Sequence, residues 1–120
     1  MHDSFHLFVY GELPGPTAAE QALTGCVAIG TGTVPGLLYD IDGEFIALLP
    51  YGTSRIQGTV WRCPAEKLPL LDSNEAVRNG VFRRIGASVC MDDDQEELGC
   101  WLYVAGPALS RRLVPSARKR

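Results

Sequence analysis

The sequence predicts an α+β domain whose small, strongly curved antiparallel or mixed sheet closes toward a barrel. Three observations carry this. Six or seven short runs are rich in apolar, β-branched or aromatic residues, only two stretches carry helix signals, and strands and helices do not alternate. Glycines recur inside the strand-like runs, at Gly30, Gly32, Gly36, Gly58 and Gly86, where they suit bends and bulges. At 120 residues the chain fits one domain, and 46% apolar with 21% charged residues is the balance of a globular core with a solvated surface. About two-thirds of the unfolded surface can be buried at this length.

Taken in order, Phe5 to Tyr10 (FHLFVY) is an apolar, aromatic run halted by Gly11 and reads as a buried strand. Gly11-Glu12-Leu13-Pro14-Gly15-Pro16 is loop. Thr17-Ala18-Ala19-Glu20 has the form of a capping box, so a short helix is predicted over about Ala18 to Thr24, with Gly25 as its stop. Val27 to Thr33 and Leu37 to Ile41 are short strands. Asp42-Gly43 is a turn, and Phe45 to Leu49 returns as the hairpin partner. Tyr51-Gly52-Thr53 is a loop before a strand over Arg55 to Arg62. Pro64 is expected to open a second helix, with Glu66 near its positive end and Leu68, Leu70 and Leu71 on its apolar face. Val81 to Cys90 and Gly99 to Ala105 form a last pair of strands. The acidic run from Met91 to Glu97 lacks the spaced carboxylates and central glycine of a calcium loop, so it reads as a solvated hairpin connection. The domain is expected to span 1–106, and 107–120 to be a flexible, basic C-terminal tail.

A net charge of −3 argues against a nucleic-acid partner, which would call for a basic face. No apolar run approaches the length of a membrane span. Met1-His2-Asp3-Ser4 has neither the basic start nor the apolar stretch of a secretory leader. Cys26, Cys63, Cys90 and Cys100 are therefore read as free thiols in a reducing cytoplasm. With only His2 and His6 available and no C-x-x-C pair, no metal site is expected.

The familiar catalytic motifs are absent: there is no phosphate loop, no dinucleotide fingerprint and no G-x-S-x-G elbow. Two features remain. At Tyr10-Gly11-Glu12-Leu13 a buried strand runs into a glycine, whose missing Cβ lets a ligand approach main-chain N–H groups. Such donors suit an anion or an oxygen acquiring negative charge. In Leu71-Asp72-Ser73-Asn74-Glu75, at the end of the second predicted helix, Asp72 and Glu75 would share one face. Carboxylates at a helix C-terminus oppose the macrodipole, so a carboxylate kept there invites a functional reason. Taken singly, a turn and a solvated helix end account for each feature.

Together these segments resemble the γ-glutamylcyclotransferase-like family, the group of γ-glutamylamine cyclotransferases and AIG2-like proteins, over nearly the whole chain to about Ala105. Phe8-Val9-Tyr10-Gly11-x-Leu13 is similar to the family's Y-G-[ST]-L, and Val34-Pro35-Gly36-Leu37-Leu38-Tyr39-Asp40 to its P-G-x-L-Y segment. Ile56-Gln57-Gly58-Thr59-Val60-Trp61 resembles its next strand. Leu71-Asp72-x-x-Glu75 followed by Phe82-Arg83-Arg84 resembles its L-D-x-x-E and Y-x-R. Three positions depart from the pattern: Glu12 for Ser or Thr, Phe82 for the common Tyr, and Pro14-Gly15-Pro16 in a stretch often basic.

The resemblance implies a small closed or nearly closed mixed β-barrel flanked by short helices, with a pocket at one end. It implies release of 5-oxoproline from a small γ-glutamyl substrate without metal or cofactor, the work of a lyase or acyltransferase. It assigns the γ-glutamyl group to Tyr10, Gly11, Glu12 and Leu13, the role of general base to Glu75, and a lining position to Phe82. A base of this kind needs a raised pKa, so partial burial of Glu75 is expected. The alternative from another class is a non-catalytic small-molecule binding domain on the same scaffold, its pocket reshaped by Glu12. A structural partner protein would instead require an exposed apolar patch.

Overall fold

The structure is a computed structural model that describes residues 3–10, 23–41, 45–73, 75–110 and 118–119, with the backbone alone at 39–41, 45–47, 49–51, 53, 75–76, 109–110 and 118–119. Its elements run β1 (Ser4–Val9), β2 (Val27–Ile41), β3 (Phe45–Pro64), α1 (Lys67–Asp72), α2 (Glu75–Arg78), β4 (Phe82–Met91), β5 (Glu97–Ala105), α3 (Pro107–Ser110) and β6 (Arg118–Lys119). The strand order β3-β1-β5-β4-β2 returns on itself through the β2–β3 pairing, so five strands close a ring, and β6 hangs on β2. The sheet is mixed because β1 and β5 run parallel, with Leu7 opposite Trp101, while the other pairs are antiparallel. A mixed barrel was the expected architecture.

The strand count falls below seven because two pairs of expected strands are each continuous. Val27–Ile41 runs unbroken through Pro35 and Gly36, and Phe45–Pro64 joins the strands placed on either side of residues 51–53. The punctuation seen in the sequence survives as irregularity. Gly36 pairs with Ser54 but Leu37 pairs with Leu49, so four residues of β3, from Pro50 to Thr53, are passed over by that ladder. A second shift, between Ala28 and Gly30, leaves Ile29 as a bulge. The hairpin expected around Asp42-Gly43 is present in its strands, from Leu37↔Leu49 to Ile41↔Phe45, while the turn itself lies outside the described residues.

The helix predicted over Ala18 to Thr24 lies almost wholly outside the described residues; Leu23 is helical, and Gly25 has φ +82, the left-handed conformation of a helix stop. Pro64 does not open a helix. It ends β3, and α1 begins at Lys67, so Pro69 falls in the first turn, where its missing N–H leaves no bond unmade. Beyond residue 106, Arg118 and Lys119 pair with Asp40 and Tyr39, so the sixth strand comes from the segment read as a basic tail.

Strand alternation divides the apolar residues between two cores. Phe8, Val34, Leu48, Val60, Val89, Leu102 and Val104 are buried in one cluster, and the backbone pairings fold it into the ring. Their neighbours Leu7, Cys63, Phe82, Tyr103 and Ala105 turn outward and pack with Leu71 of α1 and Val77 of α2. The helices thus cover one outer face, and Asp72 at the end of α1 meets both β4 and β5. The acidic connection from Asp92 is exposed, as expected, but it is fastened: Asp92 Oδ2 accepts 2.6 Å hydrogen bonds from Thr31 Oγ1 and Gln57 Nε2.

Candidate functional site

Tyr103 holds together the two segments singled out in the sequence. Its carbonyl accepts a 2.5 Å hydrogen bond from the Tyr10 hydroxyl at the end of β1. Its own hydroxyl donates to Asp72 Oδ1 at 2.7 Å. The Tyr10 oxygen also accepts from the Leu48 N–H of β3 at 3.3 Å, so the phenol bridges two strands. Burial raises the Tyr10 pKa, with the Leu48 N–H opposing it, and the ring stays protonated through neutral pH. Burial first, then the Asp72 carboxylate, raises the Tyr103 pKa likewise, against the pull of Arg84.

Asp72 is the hub on the outer side. Arg84 Nε approaches Oδ1 at 3.0 Å and its Nη2 approaches Oδ2 at 3.0 Å, a two-pronged contact that fixes the plane of the carboxylate. The guanidinium in turn lies 4.2 Å from the centre of the Trp101 ring, which holds it from below by cation–π attraction. Trp101 and Tyr103 are two apart on β5 and Arg84 lies opposite Tyr103 on β4, so strand alternation and register assemble this group. Asp72 is the last residue of α1, and the nearby cation offsets the unfavourable meeting of carboxylate and helix C-terminus.

The shared helix face expected for Asp72 and Glu75 does not form. Asp72 closes α1, while Glu75 opens α2. The dipole argument therefore applies to Asp72 alone. Only the backbone of Glu75 is described, and Gly11, Glu12 and Leu13 lie outside the described residues. Phe82 is buried against the outer core with Leu71 and Tyr103. A described cavity of about 330 Å³ opens where β2 and β4 diverge, lined by Val34, Leu48, Ile85 and Leu102 with Arg55 and Glu97. Phe82 does not line it, but Leu48 connects it to the Tyr10 hydroxyl. Sequence reasoning named Arg84 within a motif without giving it a role, and missed Tyr103 and Trp101. The alternation of two aromatic residues on β5 was the available signal.

The model of the gamma-glutamyl cyclotransferase, AIG2-like family matches residues 7–118. The chain belongs to that family. The match takes in β1, the barrel, both helices of the Asp72–Glu75 segment and β6. No curated protein matches the sequence. Among solved structures, a gamma-glutamyl cyclotransferase superposes with TM-score 0.69 at 17% identity, covering 86% of this chain and 67% of its own. An AIG2-like protein from Mus musculus also gives 0.69 at 17% identity, over 91% of this chain and 84% of its own. The Arabidopsis thaliana protein At5g39720.1 gives 0.67 at 22% identity, over 88% and 74%. The chain spans about two-thirds of that cyclotransferase's length, and at these identities the likeness is one of fold. Among the described residues, no helix is long and apolar enough to cross a membrane.

Proposed function

We propose that this family member is a γ-glutamylcyclotransferase-type enzyme that releases 5-oxoproline from a small γ-glutamyl compound. The observation that carries the reading is the double attachment of Tyr103, to the Tyr10 hydroxyl through its carbonyl and to Asp72 through its phenol. That residue joins Tyr10, which precedes Gly11, Glu12 and Leu13 in the chain, to Asp72, three positions before Glu75, and this link supports the reading.

In the proposed reaction the substrate's own α-amine attacks its γ-carbonyl carbon, closing a five-membered lactam. Glu75 takes the proton released from the attacking nitrogen and delivers it to the departing amine, so no water is consumed and no protein nucleophile is required. Because both groups belong to one molecule, holding them in contact removes much of the entropic barrier. Main-chain N–H groups beside Gly11 receive the oxyanion, each worth on the order of 3 kcal/mol. The Asp72–Arg84–Tyr103 group acts at one remove, fixing the end of α1 three residues before Glu75.

The test is incubation of the protein with a γ-glutamyl amino acid and with γ-glutamyl-lysine, following 5-oxoproline by chromatography. Turnover is expected with one of them, and Glu75→Gln should lower it about 10²–10⁴-fold without loss of folding. Absence of product from every γ-glutamyl compound tried, with ligand binding retained, would replace the enzyme by the binding module. Glu12, where relatives carry a hydroxyl residue, is the feature that favours that second reading.

A further inference from the structure

We infer that Cys26 and Cys63 form a redox-modifiable dithiol, a site at which a small-molecule disulfide oxidises the protein to an internal cross-strand disulfide. Antiparallel register puts them together. Val27 at the start of β2 is opposite Arg62 on β3, and one step outward along both chains lie Cys26 and Cys63. Directly opposed residues on antiparallel strands hold their Cβ atoms at roughly 4.5–5.5 Å, from which a modest local adjustment reaches disulfide geometry. Both side chains belong to the outer core cluster, and a thiol–thiol hydrogen bond joins them.

The pair is asymmetric in the way a two-step exchange needs. Cys26 is partly exposed, whereas Cys63 is completely buried. Burial, and then the Cys26 thiol, raise the Cys63 pKa, so Cys63 is the poor first nucleophile. Lys67, at the start of α1, lowers it in part. The Lys67 side chain passes beside Gly25, its Cε 4.0 Å from where a Cβ would stand there, so a cation flanks the chain next to Cys26. In the first step the Cys26 thiolate attacks one sulfur of the disulfide RSSR; a Cys26–S–S–R bond forms and RS⁻ leaves, to be protonated as RSH. In the second step Cys63 gives its proton to solvent and its sulfur attacks Cys26 Sγ, forming the internal bond and expelling the second RS⁻. The two thiols are oxidised together, RSSR is reduced to two RSH, and protons and electrons balance.

Cys90 and Cys100 provide the contrast. Cys100 lies in the barrel core, where burial pushes its thiol up to about 11. Cys90, opposite Glu97 on β5, offers its thiol to Gln95. Neither stands across a ladder from another thiol.

The experiment treats the native, reduced full chain with oxidised glutathione, alkylates the remaining thiols and maps the peptides by mass spectrometry. The expected result is a peptide pair linked through Cys26 and Cys63, lighter by the two thiol hydrogens and restored by reductant. In Cys63→Ala, glutathione should remain on Cys26, with a mixed disulfide roughly tenfold or more longer-lived than in the parent. If that variant does not fold, Cys26→Ser serves instead and should leave Cys63 reduced. Stable glutathionylation of Cys26 in the parent without the internal link would overturn the inference. So would a link that uses Cys90 or Cys100, or an unreactive Cys26.

Discussion

Tyr10 differs from phenylalanine by one oxygen, and that oxygen connects β1 to β5 and β3. It donates to the Tyr103 carbonyl and accepts from the Leu48 N–H, both in a partly buried setting. Tyr10→Phe keeps the packing of the ring but strips both partners of their bond, and a buried polar group left unmatched costs about 1–3 kcal/mol. The variant should lose that much stability in urea unfolding while keeping its far-UV spectrum. A loss below about 0.5 kcal/mol would mean that water replaces the phenol and that the bridge is incidental. Why Tyr103 escaped the sequence reading is plain at this scale: its two partners lie 31 and 93 residues away, so no local pattern encodes them. Tyr10 was legible because it ends an apolar strand at a glycine.

Hairpins were the most legible elements, because their signals are local. Alternating apolar residues around Asp42-Gly43, and two strands flanking an acidic run, gave β2–β3 and β4–β5 in their observed register directions. Strand continuity was not legible. Pro35, Gly36 and Gly52 read as breaks, yet the pairing on either side carries each strand across them, with the excess residues taken up where the register shifts. The acidic connection likewise hides a specific contact. Asp92 was read as solvated, and it is exposed, but hydrogen bonds from Thr31 and Gln57 lower its pKa. A folded-state pKa below the unfolded value of about 4 makes Asp92 stabilising above that pH, and the contribution disappears as pH falls through the folded value. Asp92→Ala should therefore shift the urea midpoint downward at pH 7 and have a smaller effect at pH 3. An equal shift at both values would show that packing of the hairpin, rather than the carboxylate, holds it to β2 and β3.

For the whole molecule, closure of the ring depends on two glycines that face each other. Gly32 on β2 pairs with Gly58 on β3. A Cβ on Gly58 would stand 2.5 Å from Phe8 Cζ and 2.6 Å from the Val9 carbonyl oxygen, while one on Gly32 would stand 2.6 Å from Val89 Cγ1 and 2.7 Å from the Cys90 carbonyl oxygen. Backbone oxygens cannot step aside as a side-chain tip can. Here β1 crosses closely on one side and β4 on the other, and the β2–β4 seam consists of only two registered pairs, Gly32↔Met91 and Thr33↔Cys90. Gly32→Ala and Gly58→Ala should each cost about 1–3 kcal/mol, the usual range for overpacking a filled interior. Gly32→Ala, acting at the shorter seam, should also speed hydrogen exchange at Asp92, whose N–H donates to the Thr31 carbonyl next to Gly32. Gly99→Ala is the control: a Cβ there meets nothing within 4 Å, and its effect should stay within about 0.5 kcal/mol. If Gly32→Ala proved as mild as Gly99→Ala, β2 and β4 would not be pressed together in solution, and the ring would be an open sheet.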